Sequence, residues 1–100
     1  MVDFLVQVAG FLWDTGNWPK CGKHGVSRAE IEAVFAGCPA VFPDPCPQEP
    51  RVRAIGKNAQ GRYLFIVFCL QDWEGQSWIR PISARYMHRK EIEHYEQQTA

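Results

Sequence analysis

The chain has 100 residues, of which 46% are hydrophobic and 22% are charged, and its formal net charge is zero. A chain of this size and composition forms one compact domain, here residues 1–100, and is neither disordered nor collagen-like. Its longest apolar run, residues 64–70, is far shorter than the roughly 18–20 residues of a membrane-spanning helix, and Asp3 argues against a secretory signal, so we expect a cytoplasmic protein.

The N-terminal part of the chain predicts a short strand and two helices. The apolar residues 11–13 indicate a strand or a buried anchor, and residues 15–23 favour at most a short, poor helix that Gly25 ends. Ser27 and Glu30 form a capping box at the start of a second helix. The apolar face of that helix consists of four residues at helical spacing: Ile31, Val34, Phe35 and Cys38.

The C-terminal part predicts an antiparallel meander followed by a helix. Five prolines in residues 39–50 indicate a loop, with a short extended piece at its start. Strands are expected at residues 51–55, 63–70 and 77–83, of which the second is apolar on both faces and therefore central. Residues 88–97 have a helical pattern. The predicted fold class is α+β, a single small domain with two N-terminal helices, an antiparallel meander sheet and a C-terminal helix.

Two details of these C-terminal elements are also predicted. Pro81 cannot donate a hydrogen bond to a neighbouring strand, so its strand is either an edge or bulged at that point. The last helix has His88 at its cap with Glu91 three residues later, and it turns Ile92 and Tyr95 towards the sheet.

Four cysteines form no CxxC pair, which argues against the common zinc motifs. Cys69 lies in the apolar strand, and the series Cys21, His24, Cys38 and Cys46 has spacings that fit no common zinc site. We therefore expect free thiols in a reducing compartment, with neither a metal nor another cofactor.

The zero net charge conceals an uneven distribution along the chain. Residues 1–50 carry three basic and six acidic side chains, residues 51–90 carry eight basic and two acidic, and residues 91–100 carry three acidic and no basic. Six of the eight basic side chains in the central segment are arginine, which suits forked contact with phosphate. On charge alone, this segment is either a surface for a polyanion or a set of solvated side chains.

Five short strings occur in order along the chain: Phe11-Leu12-Trp13-Asp14, Lys23-His24-Gly25-Val26-Ser27, Arg53-Ala54-Ile55-Gly56, Gly61-Arg62, and Ile82-Ser83-Ala84-Arg85 with Glu91 and Tyr95 after it. Together they resemble the BrnT family, and the resemblance spans residues 11–96. It implies a RelE-like fold and a bacterial type II toxin, an endoribonuclease held inactive by a small ribbon-helix-helix antitoxin, BrnA. The resemblance also implies that operator DNA is contacted only through the antitoxin.

A ribonuclease that works without metal makes the ribose 2′-hydroxyl attack the adjacent phosphorus. The reaction needs a base for that proton, an acid for the leaving 5′-oxygen, and cations for the charge on the phosphate. Lys23 and His24 are both candidate catalytic residues, with His24 as the base and Lys23 as its cationic neighbour. The alternative role of His24 is to cap the first helix through a carbonyl. His88 is the candidate acid, or else only a helix cap.

Arg85 follows the last strand and has two possible roles. It either stabilises the phosphate or forms an ion pair with Glu91 that holds the C-terminal helix, with Tyr95 as further support. His94 lies between glutamates in that helix and is expected to be a solvated surface residue.

Four further arginines are candidates for binding RNA phosphates, with simple solvation as the alternative: Arg51, Arg53, Arg62 and Arg80. The first two are two residues apart on a strand and so point to one face. Arg80 and Arg85 lie on opposite faces of a regular strand, and a bulge at Pro81 would reverse that. Trp73 lies in a polar turn, where its ring is a candidate for stacking on a base or for packing against a partner protein.

Two other functions stay open at this point. Residues 15–22 depart from the lysine- and alanine-rich pattern of the family, which suits a non-catalytic module that only binds an antitoxin or nucleic acid. A zinc-binding domain is the third possibility, and it would hold one metal per chain. Growth arrest on expression of the chain alone separates the toxin from the binding module.

Overall fold

The structure is a computed structural model that describes residues 8–43 and 51–99, so Cys46 and most of the proline-rich loop lie outside the described residues. The elements follow in chain order: strand β1 (Val8–Phe11), helical turn α1 (Trp18–Cys21), a 3-10 turn (Gly22–His24), helix α2 (Arg28–Ala36), strands β2 (Ala40–Pro43), β3 (Val52–Lys57), β4 (Tyr63–Trp73) and β5 (Gln76–Tyr86), and helix α3 (Arg89–Thr99).

The five strands form one mixed sheet in the order β1-β5-β4-β3-β2. Strands β2 to β5 are antiparallel neighbours, as the meander predicted, but β1 lies parallel to β5. The backbone N–H of Leu12 continues this pairing by donating to the carbonyl of Ile79 at 2.9 Å. The prediction of an antiparallel sheet was therefore wrong at one edge. There β1 pairs with the backbone N–H and C=O groups of β5 that the antiparallel strands leave unpaired.

The core lies between the sheet and α2. Leu64, Ile66 and Phe68 alternate along the central strand β4 and are fully buried. The rings of Phe68 and Phe35 meet edge to face, with centroids 5.0 Å apart. The β4 residues that alternate with these buried ones, such as Phe65, point to the other face of the sheet and are only half-buried. The strand is therefore central as predicted, but its second face is covered less completely than its first.

A β-bulge interrupts the pairing of β4 with β5. Val67 pairs with Ser83 and Phe68 pairs with Pro81, so Ile82 is the extra residue. This confirms the bulged alternative for the proline. The bulge also brings Arg80 and Arg85 opposite Cys69 and Phe65, two positions on the same face of β4.

The local signals around α2 are confirmed. Gly25 has a φ of 84° after the 3-10 turn, and its N–H donates to the carbonyl of Gly22. The amide of Glu30 donates to the Ser27 hydroxyl at 3.1 Å, and the Ser27 amide donates to the Glu30 carboxylate at 3.0 Å. The chain therefore enters α2 through a complete capping box.

Two expectations about the helices were wrong. Residues 8–43 and 51–99 contain two helices longer than one turn, α2 and α3, since the first predicted helix is only the turn α1 followed by the 3-10 turn. Cys38 does not continue the buried face of Ile31, Val34 and Phe35, since it is exposed and has a φ of 57°. Helix α2 ends at Ala36, before Cys38, so the pattern of apolar residues at helical spacing continues beyond the end of the helix.

Among the described residues, none of the helices combines the length and the apolar character needed to cross a membrane.

Gly56 in β3 offers a test of the packing between the sheet and α2. A Cβ placed there lies 2.9 Å from Cγ1 of Val34 and 3.1 Å from Cβ of Pro39. We expect Gly56→Ala to lower the free energy of unfolding by about 1–3 kcal/mol, because it overpacks the core. Gly37→Ala is the control, since its added Cβ would lie 3.6 Å from the nearest atoms. Equal denaturation midpoints for the two variants in urea would contradict this packing.

Candidate functional site

A cavity of about 340 Å³ opens at the end of the sheet where β4 begins and β5 ends. It is lined by six residues: His24, Arg62, Arg85, Tyr86, Met87 and His88. Three of the four predicted catalytic residues and one predicted phosphate-binding arginine thus meet at one place. Lys23 precedes His24 in the 3-10 turn and is exposed, but it is not part of the lining.

The two histidines reach the cavity from different elements. His24 ends the 3-10 turn and is exposed. The capping alternative required a hydrogen bond from its ring to a carbonyl, and within residues 8–43 and 51–99 the ring makes no such bond. His88 precedes α3, where its carbonyl accepts from the amide of Ile92 at 3.0 Å. The backbone of His88 therefore caps the helix, as one alternative predicted, while its side chain is exposed at the cavity.

Arg62 is held by the turn between β3 and β4. The side-chain oxygen of Asn58 accepts from the amides of Gln60 at 3.0 Å and Arg62 at 2.9 Å. The guanidinium carbon of Arg62 lies 3.6 Å from the centroid of the Tyr86 ring. A cation over an aromatic face is attracted by the ring quadrupole, so this contact fixes the charge at the cavity wall.

Tyr86 is anchored in turn by the capping glutamate of α2. Its hydroxyl donates to Oε2 of Glu30 at 2.6 Å, and the same oxygen accepts from Nδ2 of Asn58 at 2.9 Å. The hydrogen bond from Tyr86 is the main reason that the pKa of Glu30 falls to about 2, and the same bond raises the pKa of Tyr86. Glu30 is therefore ionised and Tyr86 is a neutral phenol at physiological pH.

Tyr86 is a site residue that the sequence reasoning missed. It adjoins Arg85 in the chain, but its partner Glu30 is 56 positions away, and no spacing rule connects the two. The signal that was present is Glu30 itself, whose capping role was recognised without its second function.

Arg85 forms the predicted ion pair with Glu91. Its two terminal nitrogens donate to the two carboxylate oxygens at 2.7 and 2.8 Å. Oε1 of Glu91 also accepts from the amide of His88 at 2.9 Å. The pair lowers the pKa of Glu91 to about 2 and raises that of Arg85. Arg85 therefore both lines the cavity and joins β5 to the first turn of α3.

Tyr95 also contributes to the contact of α3 with the sheet. Its ring meets that of Tyr63 edge to face, with centroids 5.7 Å apart. Glu91 therefore contacts Arg85 of β5, and Tyr95 contacts Tyr63 of β4.

The other predicted RNA-binding residues lie away from this cavity. Arg53 stands over the ring of Phe65 with 5.5 Å to its centroid, and Arg51 is half-buried just before β3. Arg80 forms an ion pair with Asp14 at 3.2 Å. The structure therefore does not bring these arginines to the two histidines.

Trp73 lies at the opposite end of β4. Its side chain is 49% exposed, and its ring meets that of Trp78 at 5.4 Å. At roughly 3.3 Å per residue, the length of β4 places it about 33 Å from Tyr63 beside the cavity. A base stacked on Trp73 would therefore lie several nucleotides from a phosphate at the cavity.

Within the described residues, no group of three or more His, Cys, Asp or Glu side chains is placed to hold a metal ion. Cys21, Cys38 and Cys69 are free thiols. Burial raises the pKa of the Cys21 thiol to about 11, so it remains protonated in the core. Cys46 of the zinc alternative lies outside the described residues.

The cavity combines two imidazoles, two guanidiniums and a neutral phenol. An imidazole nitrogen can accept or donate a proton, and a guanidinium can contact an anion. This set suits acid–base chemistry on a phosphate ester, which develops negative charge as it reacts.

A family model described as "Ribonuclease toxin, BrnT, of type II toxin-antitoxin system" matches residues 13–91 of the chain. The matched range includes all six residues that line the cavity. The search of curated proteins gave no match.

The low pKa of Glu30 predicts a specific loss of stability in acid. The pKa of this carboxylate is about 2 in the folded chain, against an ordinary value of 4.5. Its charge therefore stabilises the fold fully above pH 4.5, and that contribution disappears as the pH falls towards 2. We expect Glu30→Gln to lower the free energy of unfolding at pH 7 by about 1–2 kcal/mol, since it weakens hydrogen bonds to a charged group. The difference from wild type should shrink between pH 4.5 and 2.

Denaturation in urea at several pH values measures this difference. Glu93→Gln is the control, because Glu93 is 57% exposed and its ion-pair partner Arg89 is 93% exposed. A constant offset between wild type and Glu30→Gln across the acid range would show that the carboxylate charge has no such role.

Proposed function

Because the chain belongs to the BrnT family of ribonuclease toxins of type II toxin–antitoxin systems, we propose that it cleaves RNA at the cavity between β4, β5 and α3. The observation that carries the proposal is the meeting of His24, His88, Arg62 and Arg85 at one cavity. The lining residues that the structure describes include two arginines and no carboxylate, which suits phosphate oxygens better than a divalent cation. We therefore propose a metal-independent reaction.

In this reaction His24 takes the proton of the ribose 2′-hydroxyl, whose oxygen then bonds to the adjacent phosphorus. The bond from phosphorus to the 5′-oxygen breaks, and His88 gives a proton to that oxygen. The products are a 2′,3′-cyclic phosphate and a free 5′-hydroxyl. The exposed Lys23 adds positive charge beside His24.

The ion pair of Arg85 is compatible with a role in phosphate binding. A guanidinium has five N–H donors, and Glu91 takes one from each of the two terminal nitrogens. The remaining donors can contact phosphate oxygens while the carboxylate keeps the group in a fixed orientation. Arg62 contributes the second cation, and Tyr86 positions it.

The proposed partner is a small ribbon-helix-helix antitoxin of the BrnA type, which neutralises the toxin in the cytoplasm. Operator DNA would then be bound through the antitoxin. Covering the cavity or separating its two histidines would each abolish cleavage, since the chemistry needs both groups at one phosphate.

Growth of a bacterial host after induction of the chain alone tests this function. We expect arrest for wild type, relief on co-expression of the neighbouring gene, and no arrest for His24→Ala, His88→Ala or Arg85→Ala. Removal of a general acid or base typically lowers the rate about 10²–10⁴-fold, so cleavage of RNA by purified His24→Ala and His88→Ala should fall by at least about 10².

Arg89→Ala is the matched control for Arg85→Ala, because its side chain is 93% exposed and does not line the cavity. Circular dichroism must show that each variant is folded. If folded wild type neither arrests growth nor cleaves RNA, the chain is a non-catalytic binding module.

The dependence of RNA binding on salt tests the two cavity arginines. For single-stranded RNA, log K should fall with log salt by about 0.7 for each phosphate contacted. With His24→Ala as the inactive background, adding Arg62→Ala or Arg85→Ala should reduce that slope by about 0.7 each, since each removes one contact. Adding Arg89→Ala should leave the slope unchanged, and an equal slope in all four proteins would refute the assignment.

A further inference from the structure

A second cavity, of about 250 Å³, lies between α3 and the face of the sheet that α2 does not cover. The sheet contributes three apolar side chains, Phe42, Ile55 and Phe65, and the cationic Arg53. Helix α3 contributes Glu91, His94, Tyr95 and Gln98. Ligand pockets typically measure about 300–1,000 Å³, so this one suits a single ring system better than a larger molecule.

The two cavities are neighbours. Met87 lines both of them, Arg85 lines the first, and Glu91 lines the second. Arg85 and Glu91 are joined by hydrogen bonds of 2.7 and 2.8 Å, so this ion pair and Met87 connect the linings of the two cavities. A ligand that places an anionic group against Arg85 therefore has its adjoining part at the entrance of the second cavity.

The walls of the second cavity suit a flat aromatic ring with a polar edge. Phe65 lies in its floor, with the guanidinium of Arg85 4.7 Å and that of Arg53 5.5 Å from its ring centroid. Tyr95 adds a second aromatic ring to the lining. A nucleobase can stack on the Tyr95 ring or on the plane of an arginine guanidinium, and such stacking does not depend on which base it is.

The rim supplies groups that can distinguish one base from another. His94 is exposed, as the sequence predicted, yet it lines the cavity together with the exposed amide of Gln98. An imidazole and an amide each offer donors and acceptors to the edge of a base, and single-stranded RNA presents such edges.

We propose that this cavity binds the nucleobase next to the scissile phosphate, and that His94 and Gln98 select which base is accepted. The inference rests on the proposed function, since the phosphate of the same nucleotide occupies the first cavity. Cleavage is then selective for one base at that position.

Calorimetric titration of the full chain with the four nucleoside 3′-monophosphates, ribose 3-phosphate and inorganic phosphate tests this inference. At least one nucleotide should bind about tenfold or more tightly than ribose 3-phosphate, as expected for stacking of one base. His94→Ala and Gln98→Ala should reduce the preference among the four bases and leave the affinity for inorganic phosphate unchanged. Gln97→Ala, on the same helix but outside the lining, is the matched control.

The outcomes separate this inference from the proposed function. If inorganic phosphate binds and the base adds nothing, the second cavity is not a base site, while the phosphate site stands. If the base preference persists in both His94→Ala and Gln98→Ala, the selection of the base lies elsewhere and the inference fails. If neither phosphate nor any nucleotide binds, the proposed function fails, and the inference fails with it.

Discussion

The carboxylate of Glu30 is the group on which the arrangement of this protein depends. It closes the capping box of α2, accepts the hydroxyl of Tyr86 from the end of β5, and accepts the amide of Asn58 from the turn after β3. Three elements distant in sequence therefore meet at one ionised group. Because Arg62 follows the Asn58 turn and lies on the Tyr86 ring, the same carboxylate fixes one wall of the candidate site.

Glu91 repeats this arrangement at the opposite wall. Each glutamate stands three residues after a capping residue, accepts the backbone amide of that residue, and also holds a side chain of the site. Glu30 holds Tyr86, and Glu91 holds Arg85. The starts of α2 and α3 are thus fixed by the contacts that orient the cavity, so folding of the helices and assembly of the site are coupled.

Local features were predictable from the sequence, and distant ones were not. The capping box at Ser27 needs only residues three apart, whereas the parallel pairing of Val8 with Ser77 crosses most of the chain and leaves no periodic trace. The convergence of His24 with His88 has the same cause. Both histidines were named from a family resemblance and from the chemistry of RNA cleavage, and only the fold brings them to one cavity.

The extra residue of the bulge in β5, Ile82, reverses the order in which the side chains of the strand alternate between its two faces. Ile79 and Pro81 are buried before it, and Ala84 is buried after it, so the parity of the inward positions changes from odd to even within one strand. In a regular strand that begins with Ile79 inward, Arg85 would also point into the core. Ile79 and Pro81 can therefore face the core while Arg85 faces the cavity only if the number of residues between them stays fixed. A single insertion or deletion there would move the side chains that follow it to the opposite face of the strand.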